Sequence, residues 1–280
     1  DGDGLGFANG GLLGVTPAEG DVIFRDCTFR NCRVGPGVVG YRDAEIRFQN
    51  IRTDRCRGNC IQLIDIGNSR IRVQDCDLVC DSFLLPPDYA AGQEGVPSSL
   101  GCVVVIQGMG AALGYPANVQ WLSLAYNPAL HDDAHPEHGP FGTWRPLGPP
   151  VAPEPTLLLV RGNSYTSSTT PNTYCVHLVD LANLAFGAPA LGAAVKGNSC
   201  EDSETCIGLE HIQVSRVVDN RCASQAFGVE LHNCTQTMVE DNSFSFPPGA
   251  VGCEIRILDL GGKIDLSRVA PEAGVCALQG

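Results

Sequence analysis

The segments VKGNSC from Val195, VVDNRC from Val217 and VEDNSF from Val239 are evenly spaced copies of one hexapeptide. Working outward, VRGNSY from Val160, VQDCDL from Val73, FQNIRT from Phe48 and FRDCTF from Phe24 follow the same pattern. The steps from Phe24 to Phe48 and from Phe48 to Val73 match the C-terminal ones closely, so each holds one unit. Those from Val73 to Val160 and from Val160 to Val195 are longer and hold extra material. A second pattern recurs between the copies: CIQLID from Cys60, CVHLVD from Cys175, CIGLEH from Cys206, GVELHN from Gly228 and EIRILD from Glu254. Its alternating apolar positions predict short strands. Units of about 22–25 residues with Asn, Asp and Gly at their turns predict the rungs of a β-solenoid. A leucine-rich repeat has a similar period, but its Leu and Asn spacing is absent and no unit carries a helix-length apolar stripe.

Stacking the copies puts Asn163, Asn198, Asn220 and Asn242 in one column at a bend. Neighbours would lie about 4.8 Å apart, close enough for an amide ladder. Asparagine also tolerates the left-handed backbone conformation of a tight bend. Cys27, Ile51 and Cys76 occupy the same column in the first half, so the ladder is not expected there.

Repeats of the type V-x-D-N-x-C/F followed by a G-V-x-L strand resemble those of the pectate-lyase-like superfamily of right-handed parallel β-helices. The resemblance covers about residues 20–80 and 156–262. It implies an all-β right-handed coil as one domain: an N-terminal edge or cap (1–20), rungs (21–82), a large insertion (83–155), rungs (156–262) and a C-terminal tail or cap (263–280). Within the insertion, VQWLSLAY from Val119 alternates and is a candidate strand of an added rung. The architecture hosts lyases, hydrolases, epimerases, tailspikes and adhesins, so it does not fix a function. The NTD, GHG and RIK motifs of polygalacturonases are absent, as are the WIDH and RxPxxR motifs of pectate lyases. No catalytic residue is carried over from either.

Composition fits this reading. The 280 residues include 33 glycines and 19 prolines, a turn-rich balance unlike that of a helical bundle. The net charge of −13, with Lys196 and Lys263 the only lysines, argues against a nucleic-acid partner and disfavours an anionic polysaccharide. No run of eighteen apolar residues suggests a membrane span. The sequence opens on DGDGLG, with neither methionine nor a charged-then-apolar leader, in the manner of a processed segment.

Fourteen cysteines fit an oxidising location, whether secreted, periplasmic or cell-surface. Cys32, Cys56 and Cys80 recur once per rung and should share a column, each within disulfide range of its neighbours. Cys60, Cys102, Cys175 and Cys206 open the alternating strands, and Cys200 and Cys222 form a third column. Buried thiols acting as small hydrophobes are the other reading. No CxxC pair is present.

Two regions could carry chemistry. Laying the second-pattern strands over one another gathers His177, Asp180, Glu210, His211, Glu230, His232 and Arg256 on one outward face. Imidazoles beside carboxylates suit acid–base work, and an arginine could hold a sugar carboxylate. The alternative is a solvated face with cross-strand pairs such as Glu230 with Arg256. In the insertion, His131, Asp133, His135 and His138 could wrap a divalent ion such as zinc, and the opening DGDG resembles part of a calcium loop. Trp121, Tyr126 and Trp144 are candidates for a sugar-stacking wall or for anchors of the insertion. The expectation is a secreted or surface module binding a glycan or a protein partner. A lyase, epimerase or hydrolase using the C-terminal face is the runner-up, and a homo-oligomeric assembly or filament subunit the third.

Overall fold

The computed structural model describes residues 6–8, 18–32, 35–39, 41–56, 59–64, 66–80, 100–107, 138–139, 142–143, 155–167, 173–187, 189–259 and 274–279. These residues form three parallel sheets of stacked strands, the arrangement of a parallel β-helix. The long sheet runs in order through Gly6–Ala8, Gly37–Val39, Ile61–Ile64, Leu100–Gln107, Thr173–Asp180, Thr205–Glu210, Phe227–His232, Cys253–Asp259 and Val275–Gln279. Two seven-stranded sheets follow the same chain order. One runs from Val22–Arg25 to Thr237–Glu240 and the other from Thr28–Arg30 to Ser243–Ser245.

The hexapeptide is the register mark. Phe24, Phe48, Val73, Val160, Val195, Val217 and Val239 are direct partners from strand to strand. Rungs on either side of the long insertion are therefore hydrogen-bonded neighbours, Val73 against Val160. Leu100–Gln107 enters the long sheet between Ile61–Ile64 and Thr173–Asp180. The segment from Val119 lies outside the described residues. Val275–Gln279 pairs with Cys253–Asp259, so the tail contributes a strand of its own.

The left-handed residue at the bend differs from the expectation. It is the residue before the asparagine column: Asp26, Asn50, Asp75, Gly162, Gly197, Asp219 and Asp241 all have φ between 52° and 64°. Asp, Asn and Gly bear this conformation most readily. The asparagines supply hydrogen bonds instead. Nδ2 of Asn163, Asn198 and Asn220 each donates to Oδ1 of the next asparagine at 2.9 Å. Each Oδ1 beyond the first also accepts the backbone N–H of the preceding asparagine. The ladder stops where Asn163 Oδ1 accepts from the backbone of Cys76.

Inside the coil the apolar residues stack by kind, as where the Phe24 and Phe48 rings are stacked nearly parallel with centroids 4.9 Å apart. Cys60, Cys102, Cys175 and Cys206 are fully buried, and each is followed by another core residue. Alternation is broken at these positions, and Tyr174, which precedes Cys175, lies on the outward side against His177. The sulfurs of Cys175, Cys200 and Cys206 lie within 4.8 Å of one another. Burial pushes the thiols of Cys60, Cys102, Cys200 and Cys206 up, so they pack as protonated, small apolar groups. Cys56 and Cys80 are partners in a backbone β-bridge one rung apart, but among the described residues no disulfide joins them or the half-buried Cys32. Cys253 and Cys276, on the last two strands, stand at disulfide distance. No helix among the described residues is long and apolar enough to cross a membrane.

Candidate functional site

Outward positions of the long sheet form two columns. Gln62, Val104, His177, Gly208, Glu230 and Arg256 are in register, as are Ile64, Ile106, Val179, Glu210, His232 and Leu258. The face changes character along the axis. Ile64, Val104, Ile106 and Val179 are buried although they point away from the core. A short helix, α1 (Leu181–Phe186), packs back on Leu100–Gln107 beside them. From His177 onward the columns turn polar.

His177 is the pivot of the polar stretch. Its Nε2 donates to Glu210 Oε1 at 2.8 Å, and its ring lies flat on Tyr174 with centroids 4.0 Å apart. Only 3% of His177 is exposed, and its buried Nδ1 has no hydrogen-bond partner among the described residues. Burial raises the Glu210 carboxyl, but the His177 hydrogen bond and the charges of His177, His232 and His211 outweigh it and hold the group below its usual range. Burial, reinforced by Glu230 and Glu210, pushes the Tyr174 hydroxyl up.

Around this pair, His232 Nδ1 stands 4.0 Å from Glu210 Oε2, and the rings of His211 and His232 are 5.2 Å apart. His211 has φ 59°, and its backbone N–H donates to the carbonyl of His232. Asn183 of α1 donates its side-chain amide to the carbonyl of His211, bracing that turn. One rung on, Arg256 Nη1 donates to Glu230 Oε2 at 3.1 Å, and the guanidinium lies 4.3 Å over the Phe227 ring.

Of the seven residues expected on this face, the structure brings His177, Glu210, His211 and His232 into one cluster and sets Glu230 and Arg256 beside it as a pair. Asp180 serves another purpose. Oδ1 caps α1 by accepting from Asn183, and Oδ2 accepts from the backbones of Ala190 and Leu191. Burial nevertheless raises its carboxyl. Of two further contributors, Tyr174 escaped the sequence reading, and Gly208 was legible as a member of the outward column but not as part of the site. A Cβ at Gly208 would meet the Tyr174 ring at 2.6 Å and the His177 ring at 3.0 Å. The signal was there: one glycine interrupting a column of functional side chains marks the place where a neighbouring ring must lie. Trp121, Tyr126, Trp144, His131, Asp133 and His135 lie outside the described residues. His138 falls in a two-residue strand paired with Gly142–Thr143, its side chain undescribed.

Comparison with family models, curated proteins and solved structures finds no match for this chain.

Proposed function

We propose that the chain is a secreted or surface right-handed β-helix of pectate-lyase-like kind that binds a linear, neutral glycan along the outer face of its C-terminal rungs. The observation that carries this reading is the axial repeat. Tyr174 with His177, then Glu210, then Phe227 with Glu230 and His232, then Arg256 occupy four successive rungs of one parallel face. Successive steps are about 4.8 Å apart, close to the length of one pyranose. Aromatic faces and fixed donor–acceptor pairs suit sugar rings and hydroxyls. Arg256 is already matched by Glu230, and the net charge is −13, which favours a neutral polymer over an acidic one. The Cys253–Cys276 pair supports an oxidising location, and right-handedness follows the strong preference of parallel crossovers.

Affinity electrophoresis against a panel of neutral and acidic polysaccharides tests this. Retardation by a neutral glycan, abolished by Tyr174→Ala, is expected; binding to none would sink it. The hydrogen-bonded His177–Glu210 pair favours a second reading, acid–base cleavage of the same polymer. New reducing ends or unsaturated product, lost in Glu210→Gln, would favour the enzyme over the binding module.

A further inference from the structure

We propose that Glu210, His211 and His232 form a zinc site, with His177 as the residue that positions the Glu210 carboxylate. The site goes beyond the glycan reading and stands whether or not a glycan is bound.

The three side chains converge. One ligand atom from each lies within 4.8 Å of the other two. Two ligands on a tetrahedral zinc are roughly 3.4 Å apart, so closing the site takes about an ångström of side-chain movement. All three side chains are half-buried, which leaves a fourth position facing outward. Two imidazoles and a carboxylate with one open position are a donor set that zinc accepts.

The backbone holds the donors together. Glu210 and His232 are register partners on adjacent strands, and His211 follows Glu210 directly. A histidine at φ 59° occupies a conformation that side chains with a Cβ adopt reluctantly. That turn is fastened on two sides, by the carbonyl of His232 and by the amide of Asn183. The carboxylate is fastened too. His177 takes Oε1 and leaves Oε2 toward His232. A buried group that orients a ligand by hydrogen bonding is a hallmark of metal sites. The second, independent sign is His177 itself, buried to 3% exposure with its Nδ1 lacking a partner among the described residues. A buried polar atom of that kind costs stability, and a fold retains it where the ring has a task. The surroundings admit a cation: Glu230 and Arg256 neutralise each other next door, leaving the Glu210 carboxylate to set the local charge.

The test uses the full chain, stripped with a chelator and then titrated with Zn(II) by calorimetry and with Co(II) by visible absorption. One equivalent should bind, with a tetrahedral d–d band and no sulfur charge-transfer band. The triple variant His131→Ala, His135→Ala and His138→Ala should bind equally well. His232→Ala should lose the band with circular dichroism unchanged. His211→Asn, which keeps a residue tolerant of positive φ, should lose it as well. His177→Ala should bind about 10- to 100-fold more weakly. The proposal falls if the stripped chain binds neither metal, if His211→Asn and His232→Ala retain full binding, or if sulfur charge transfer places the ion among Cys175, Cys200 and Cys206.

Discussion

Asn198 occupies the middle of the amide ladder, where its Oδ1 accepts from the backbone N–H and side-chain amide of Asn163 and its Nδ2 donates to Val160 and Asn220. Replacing it with alanine leaves the Asn163 N–H buried and unpaired, at a cost of about 1–3 kcal/mol, with a cavity added. Urea unfolding should show a lower midpoint for Asn198→Ala, and Asn198→Asp, which keeps the acceptor, should lose less than the alanine variant. The carboxyls of Glu210 and Asp180 titrate with opposite sign. Glu210 is held below its ordinary 4.5, so its contribution is complete above that value and is lost as pH falls toward the folded pKa. Asp180 is raised above 3.8, so its ionisation works against the fold as pH rises through the window just above that value. Unfolding midpoints measured across that range should therefore fall less steeply toward acid in Glu210→Gln than in the parent chain. The ladder was legible because its residues recur at rung spacing. Asp180 was not, because its partners Asn183, Ala190 and Leu191 belong to a stretch that repeats nowhere else.

Among the elements, the Thr205–Glu210 strand owes its part in the site to Gly208. Gly208→Ala would drive Tyr174 off His177, and because a ring edge can yield, the strand should survive. We expect unchanged far-UV circular dichroism, altered near-UV circular dichroism from Tyr174, and weakened glycan binding. The period-two pattern found the strands and their register, including the columns from Gln62 to Arg256 and from Ile64 to Leu258. It placed a strand opening at Cys102 but left it inside the insertion without its extent, because LGCVVVIQ from Leu100 has Gly101 through Gln107 buried on both faces. A continuous apolar run has no period to read. It missed α1, whose six residues are too few to show a helical stripe and which is fixed by its caps at Asp180 and Gly187. Tyr174 was hidden for the opposite reason: Cys175 and Val176 both face the core, so counting by twos across them assigns the wrong side.

For the whole molecule, the last two strands are tied by Cys253 and Cys276, and the pairing holds Val275–Gln279 against the end of the coil. Cys276→Ser should raise amide hydrogen exchange in residues 275–279 and leave the rungs before residue 240 unchanged. The repeat made the coil readable across its length, whereas the chemistry of the polar face depends on rings and turns that interrupt the repeat. One such interruption has a use in engineering. The chain from Asn163 to Asn198 is much longer than that from Asn198 to Asn220, yet all three meet in the same ladder. The surplus, with α1 inside it, leaves the rail undisturbed. The coil thus behaves as a mount with interchangeable cassettes: foreign loops spliced into that corner should be displayed at one-rung pitch, with the scaffold indifferent to their length.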